Sequence, residues 1–354
     1  MKRNILRKHN VQIGLSGFIG VIVVICSGCG QPAGELFTTP AKPIVWPAPP
    51  ETARIKYVGQ ISTEEDLHRA VSWSEGFGKL LFGQKEIGVL LNPYGVALDG
   101  KDRLFVADSS GAVIHLMDLK TRRYKQFSKL ADNEKLATPV ALTIVEGHVF
   151  VADSGLAKVC VFDREGRFQF CFGQEQLKRP SGIAYWAEGE KVYVSDTSRH
   201  VVDVFSRSGE FIDKIGGRGL KAGEFNFPTQ LWVDHSGRLY VSDTLNYRVQ
   251  VFRGDGTFLF MFGEQGDRPG NFAHPCGVAT DSLGNIYVTD RQFENVQIFD
   301  RAGRILMAFG QEGTEIGRFW LPAGIWIDSS NKIYVADSFN KRIQVFQLLV
   351  YEEQ

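Results

Sequence analysis

From residue 93 onward, the chain consists of short apolar or alternating runs, each bounded by Gly, Asp or Ser. The segment 228–273 shows the pattern most clearly. It predicts four short strands, at 230–234, 239–241, 248–252 and 258–262, with turns between them that are rich in Gly, Asp and Ser. A helical repeat would instead need apolar runs with a 3.6-residue period over roughly ten residues or more. The pattern therefore predicts an all-β protein.

This four-strand unit recurs six times. In each unit, a triplet of Val, a small residue and Asp closes the second strand, and a proline precedes that Asp by 14 to 16 residues. Four antiparallel strands in units of about 40–50 residues are typical of a β-propeller. We therefore predict a six-bladed β-propeller of four-stranded antiparallel blades. The repeat aspartates are Asp108, Asp153, Asp196, Asp243, Asp290 and Asp337, and the opening prolines are Pro93, Pro139, Pro180, Pro228, Pro275 and Pro322.

The two ends of the repeat region predict how the ring closes. The sixth unit ends after its third strand, at 342–346, whereas a spare strand precedes the first unit at 54–61. We expect this N-terminal strand to complete the last blade, because shared closure removes an open sheet edge. A competing candidate is 79–83, which resembles the ends of other fourth strands. With the first choice, 62–90 is an insertion before blade 1.

The N-terminus has the features of an export signal. Residues 1–10 carry basic and no acidic side chains, residues 11–28 carry no charge, and Ser27 and Gly28 precede Cys29. This arrangement resembles a bacterial lipoprotein signal, in which the cysteine becomes lipidated, although Cys26 stands where that signal prefers Leu. The alternative is an uncleaved membrane anchor. We predict a signal peptide at 1–28, a lipidated Cys29, a proline-rich tether at 29–53 that packs against no core, and the propeller at 54–354.

The charge balance changes once the signal is removed. The whole chain has 40 basic and 40 acidic residues; without 1–28, which holds four basic and no acidic residues, 36 and 40 remain, a net charge of −4. This argues against nucleic-acid binding, which favours a basic surface.

Cys160 and Cys171 flank a predicted turn at 164–165, but a regular hairpin around that turn would not place them directly opposite each other. We therefore expect buried thiols there and not a disulfide.

Two segments resemble the NHL repeat, namely 275–299 and 322–346, the second with Asp337, Asn340 and Arg342. The resemblance extends over the repeat region and implies the propeller fold. It implies little about function, because such propellers serve many binding roles and a few enzymatic ones.

The repeat aspartates are the most regular polar feature, but their spacing around a ring does not suit a metal. The second strands lie roughly 10 Å or more from the axis, whereas a cation needs oxygen ligands within about 2.6 Å. We predict that these carboxylates instead accept backbone N–H groups in adjacent turns. Arg248 and Arg342 are placed to pair with Asp243 and Asp337.

Ligands of propellers usually bind near the axis, where the repeats begin. The residues that follow the opening prolines are small and mostly neutral, and they lack the histidines that a zinc-dependent lyase of this fold carries there. A thiol–imidazole pair of Cys276 and His274 is conceivable, with a rim histidine and a buried thiol as the alternative. We predict no cofactor and no metal. The candidate ligand-facing residues are Tyr94, Ser181, Thr229, Gln230, His274 and Cys276.

The resulting hypothesis is an exported, membrane-tethered propeller that binds an envelope protein or polymer. We expect a monomeric ring in the cell envelope, with contact loops at 214–226 and 264–273. The alternative is a lyase or hydrolase with its site at the propeller mouth. A third hypothesis is RNA recognition, but export and a negative net charge argue against it.

Overall fold

The computed structural model describes residues 34–37, 39–69, 88–100 and 102–351. These residues form six antiparallel sheets, and the first strands of consecutive sheets contact one another, the last returning to the first. The chain is therefore a six-bladed β-propeller, as predicted. Two short strands come first, β1 (Val45–Trp46) and β2 (Ile55–Ile61).

The blades follow in chain order, and each runs from the axis outward. Blades 1 to 3 are β3 (Pro93–Asp99), β4 (Arg103–Asp108), β5 (Val113–Asp118) and β6 (Arg123–Phe127); β7 (Pro139–Val145), β8 (His148–Asp153), β9 (Lys158–Asp163) and β10 (Phe168–Phe172); and β11 (Pro180–Trp186), β12 (Lys191–Asp196), β13 (Val201–Ser206) and β14 (Phe211–Ile215). Blades 4 to 6 are β15 (Pro228–Val233), β16 (Leu239–Asp243), β17 (Arg248–Phe252) and β18 (Phe258–Phe262); β19 (Pro275–Thr280), β20 (Ile286–Asp290), β21 (Asn295–Phe299) and β22 (Ile305–Phe309); and β23 (Pro322–Ile327), β24 (Lys332–Asp337) and β25 (Arg342–Leu348). Helical structure in the described residues is limited to three short 3₁₀ segments, Glu64–Leu67, Ala131–Asn133 and Thr244–Asn246.

Blade 6 closes the ring as predicted. Strand β2 pairs antiparallel with β25, so the N-terminal strand completes the last blade. Strand β1 then adds a fifth strand outside β2, and the Trp46 ring lies 5.7 Å from the rings of Phe309 and Phe346. The expectation that the tether packs against no core is thus wrong. Trp46 packs against the core cluster between blades 5 and 6, and Leu36 and Phe37 pack against the cluster between blades 6 and 1. The competing strand at 79–83 and most of the insertion lie outside the described residues.

The hydrophobic core lies between the blades. Each of the six buried clusters combines side chains from neighbouring blades; one of them joins Tyr193 and Val204 of blade 3 to Leu239 and Phe252 of blade 4. Alternate residues of a strand face opposite sides of its sheet, so both faces of every blade contribute apolar side chains to a neighbour. No described helix is long and apolar enough to cross a membrane.

Blade 2 contains a disulfide that the sequence reasoning did not predict. Cys160 of β9 and Cys171 of β10 are bonded, and they are direct cross-strand partners with Cα atoms 4.2 Å apart. The expectation of two free thiols assumed a regular hairpin. An irregularity between Phe168 and Phe170 shifts the register and brings the two cysteines opposite each other.

Candidate functional site at the propeller mouth

The face at which the first strands begin is here called the mouth face. Each first strand starts there at its opening proline, and each second strand returns to it at its repeat aspartate. The loops that join one blade to the next end on this face, immediately before the prolines. The six repeat aspartates and the six candidate ligand-facing residues therefore lie on the mouth face or just beneath it. The predicted lipidation residue, Cys29, lies outside the described residues.

The repeat aspartates tie the entry of each blade to its second strand. Asp290, for example, accepts the backbone N–H groups of Ala273 and His274, just before its opening proline, and those of Gln292 and Phe293 in the following turn. In blades 4 and 6, the aspartate also pairs with an arginine, Arg248 with Asp243 at 2.8 Å and Arg342 with Asp337 at 2.7 Å. These carboxylates lie buried, where backbone and arginine donors compensate their loss of solvation.

The axis is nearly closed below the mouth. A Cβ added to Gly182, Gly277 or Gly324 would lie 2.2–2.5 Å from a carbonyl oxygen of the next blade, so these glycines allow the inner strands to approach closely. Gln230 stands at the equivalent place in blade 4, and its Nε2 donates to the Ser181 carbonyl at 3.1 Å.

The axial cavity beneath Gln230 has a volume of about 70 Å³. The indole rings of Trp232 and Trp326 line it, 4.9 Å apart and edge to face. Sites for small organic ligands usually enclose roughly 300–1,000 Å³. The axis therefore has space for a few waters and not for a substrate.

Two predicted ligand-facing residues, Ser181 and Thr229, have hydroxyls that bond to side chains of their own blades. The Ser181 hydroxyl contacts the hydroxyls of Ser195 and Thr197, and the Thr229 hydroxyl lies 2.7 Å from that of Thr244. Thr244 also donates to the carbonyl of Pro275 in the next blade, at 2.9 Å. These hydroxyls are bonded within the protein.

The remaining three candidates lie close together between blades 1 and 5. The Tyr94 hydroxyl reaches across blade 6 and lies 3.8 Å from Sγ of Cys276, which is fully buried. Burial raises the pKa of the Cys276 thiol, against the opposing effect of Arg291, so the thiol stays protonated at neutral pH. His274 is half-buried; its Nδ1 has no hydrogen-bond partner, and desolvation lowers its pKa. The groups that contact Cys276 are therefore Tyr94 and Arg291, and not His274.

Sequence reasoning missed Arg291 in this cluster. Its guanidinium carbon lies 5.2 Å from the centre of the Tyr94 ring, and its Nη1 is buried without a hydrogen-bond partner. The signal was present in the repeat, because the other five blades carry Ser or Thr directly after the repeat aspartate. Those residues are Ser109, Ser154, Thr197, Thr244 and Ser338.

A second feature is an open groove that runs from the rim of the mouth face down the side of the ring between blades 4 and 5. Its volume is about 720 Å³, and the loop at 263–271 forms one wall. Three of its lining residues are large, apolar and exposed: Leu220 by 74%, Met261 by 44% and Leu245 by 39%. The two predicted contact loops, 214–226 and 264–273, both contribute to it.

The described residues contain no group of three or more His, Cys, Asp or Glu that could hold a metal ion. The other histidines of the core serve the fold: His115 contacts Asp108 and Tyr124 at 3.3 and 2.8 Å, and Nδ1 of His200 accepts the Phe227 N–H.

Comparison with known proteins agrees with this architecture. The family model DUF5128, a 6-bladed beta-propeller, matches residues 174–238 and 277–354. A 100-residue stretch, 27% of the chain, is 29% identical to the protein brain tumor of Drosophila melanogaster, and the match covers 9% of that protein's length.

Similar solved structures share the fold at low sequence identity. One is a protein of unknown function from Bacteroides thetaiotaomicron, with a TM-score of 0.60, 15% identity, and coverage of 74% of this chain and 70% of that one. An auxiliary nutrient binding protein from the same organism has a TM-score of 0.58 and 13% identity, over 75% and 70% of the two chains. Virginiamycin B lyase from Staphylococcus aureus has a TM-score of 0.54 and 13% identity, over 73% and 96%. Because a binding protein and an enzyme both appear, the likeness establishes the fold alone.

Proposed function

We propose that this chain is an exported, membrane-tethered binding module whose mouth face docks a partner protein in the groove between blades 4 and 5. The observation that carries the proposal is that Leu220, Leu245 and Met261 line one open groove while strongly exposed. Exposed apolar side chains that share a concave surface are typical of interaction sites, whereas scattered ones are not.

The surroundings of the groove suit a segment of protein. Its polar wall carries Glu264, Gln265 and Asn271, which can pair with peptide groups at the rim of an apolar contact. The repeat scaffold fixes both walls, since the loops at 216–227 and 263–274 are tied to Gln250 and Gln297 through the N–H groups of Gly223 and Gly270. A preformed groove loses little conformational entropy on binding.

The test compares two matched double variants. Leu220→Asp with Met261→Asp places charge in the groove, and the control, Phe211→Asp with Leu283→Asp, places charge on exposed apolar residues outside it. In cross-linking from cell envelopes, we expect the groove variant to lose the partner captured by the unchanged protein by at least about tenfold. The control should retain it. Equal capture by both variants, or equal loss, contradicts the proposal.

The membrane tether has its own test. Cys29→Ala should leave a larger precursor that fatty acid does not label, because the modified cysteine would be missing. Normal maturation and labelling of this variant would rule out the lipid anchor while leaving the groove untouched.

A further inference from the structure

The residue after the repeat aspartate has the same role in most blades. The hydroxyls of Ser154, Thr197, Thr244 and Ser338 each donate to the carbonyl of the opening proline in the next blade. Blade 5 has Arg291 at this place. Blade 5 therefore lacks this hydroxyl bond to blade 6, and it has a cation on the mouth face instead.

The Arg291 side chain is held in place but not neutralised. It stacks on the Tyr94 ring, and Nη1 is buried and unbonded. The nearest repeat carboxylate, Asp290, accepts backbone N–H groups on both oxygens. Among the described residues, no carboxylate forms an ion pair with Arg291. The positive charge of Arg291 is therefore not compensated by a carboxylate, and a bound anion would compensate it.

The neighbours of Arg291 add donors and positive charge. The hydroxyl of Tyr94 and the thiol of Cys276 are both protonated at neutral pH, since contact with the thiol and burial raise the pKa of Tyr94 as well. Arg179, exposed at the entry of blade 3, is close enough to act electrostatically on the Tyr94 hydroxyl. The cluster therefore holds two cations near the mouth, Arg291 and Arg179, while the Tyr94 hydroxyl and the Cys276 thiol are buried and contact each other.

We propose that the centre of the mouth face binds a small oxyanion, the carboxylate or phosphate group of a ligand, on the guanidinium of Arg291. The planar guanidinium offers paired N–H donors that match two oxygens of either group. Tyr94 fixes the plane of the guanidinium by stacking. This site is separate from the groove between blades 4 and 5 and does not depend on it.

The experiment uses sodium acetate and inorganic phosphate as probes, titrated by calorimetry at constant ionic strength. The decisive variant is Arg291→Ser, which installs a hydroxyl at the position where four other blades use Ser or Thr for the bond between blades. We expect saturable binding by the unchanged protein and at least tenfold weaker binding by Arg291→Ser. The stronger of the two probes identifies the ligand group.

Two controls make the result interpretable. Arg304→Ser removes an arginine that is 82% exposed and paired with Asp300, and it should leave binding unchanged. Arg291→Gln replaces Arg291→Ser if the latter loses its near-UV circular dichroism. Absence of saturable binding for both anions, or equal binding by the unchanged protein and the Arg291 variant, overturns the proposal. The groove variant should bind the anion normally, so the two proposals can fail separately.

Discussion

Blades 4 to 6 and blades 1 to 3 differ in the side chain that lies next to the repeat aspartate and in what it bonds to. The position seven residues after the repeat aspartate lies beneath that aspartate in the third strand. It is glutamine in blades 4 to 6, whereas blades 1 to 3 have three other residues there. Those residues are His115, Cys160 and Asp203.

In blades 4 to 6, the glutamine pins the loop that enters the blade. Oε1 of Gln250, Gln297 and Gln344 accepts an N–H from the loop at 2.9–3.0 Å. Nε2 of each donates to a carbonyl of the same loop at 2.6–2.8 Å. The three loops, 216–227, 263–274 and 310–321, are equal in length and repeat every 47 residues.

Blades 1 to 3 use the position for other bonds. His115 contacts its repeat aspartate and Tyr124, Asp203 pairs with Arg199 at 2.5 Å, and Cys160 forms the disulfide. The comparison indicates that the glutamine belongs with the three loops that repeat every 47 residues. The half of the ring with pinned loops is also the half that builds the groove and carries Arg291.

The largest expected effect concerns blade 2. Replacing Cys160 and Cys171 together by serine should lower the free energy of unfolding by about 2–3 kcal/mol, because a cross-link that closes a short loop restricts the unfolded chain. Urea denaturation with and without reductant measures it. Reductant should destabilise the unchanged protein and leave the double variant unaffected; sensitivity of both to reductant would contradict the assignment.

The next effect tests the pinned loops directly. Gln250→Leu should cost about 2 kcal/mol, since the Gly223 N–H and the Glu224 carbonyl lose a buried partner. Hydrogen exchange should accelerate in 216–227 and not in 310–321, where Gln344 is intact. The matched control is Gln169→Leu, at an exposed position, with a change below about 0.5 kcal/mol. Uniform acceleration in both loops would show that the glutamine does not act locally.

The blades and the ring closure could be predicted from the sequence, whereas the disulfide and the role of Arg291 could not. Six aspartates in register and an unpaired strand at 54–61 were enough for the blades and the closure, because both depend on strand periodicity. The disulfide was missed because an irregularity between Phe168 and Phe170 changes the pairing by an amount that residue spacing does not reveal. Arg291 stands out in the sequence, because Ser or Thr follows the repeat aspartate in the other five blades, but only the structure shows that four of these hydroxyls bond to the next blade.

Asp203 should make blade 3 sensitive to pH. Burial raises the pKa of its carboxyl to about 6, although the Arg199 guanidinium opposes the shift. The folded state therefore holds this proton more tightly than the unfolded state, and the contribution of Asp203 to stability falls as the pH rises from about 4 to about 6. Relative to the unchanged protein, Asp203→Asn should gain about 2 kcal/mol across that range. Urea denaturation at a series of pH values measures it. A gain of the same size in Asp213→Asn, which is exposed on the neighbouring strand, would contradict the assignment.

The smallest expected effect on the free energy of unfolding comes from giving blade 5 the arginine that blades 4 and 6 already have. Asn295 occupies the place of Arg248 and Arg342, and its Oδ1 is buried without a hydrogen-bond partner. In blade 6, Arg342 pairs with Asp337 and donates to the carbonyls of Glu315 and Arg318, whose counterparts 47 residues earlier are Arg268 and Asn271. Asn295→Arg should therefore find acceptors in place and raise the free energy of unfolding by up to about 1 kcal/mol. Urea denaturation checks the gain, and Asn295→Lys is the matched control, because its single ammonium cannot span the carboxylate and both carbonyls. If arginine destabilises the protein while lysine does not, blade 5 is not equivalent to blade 6 at this position, and its loop has diverged along with Arg291.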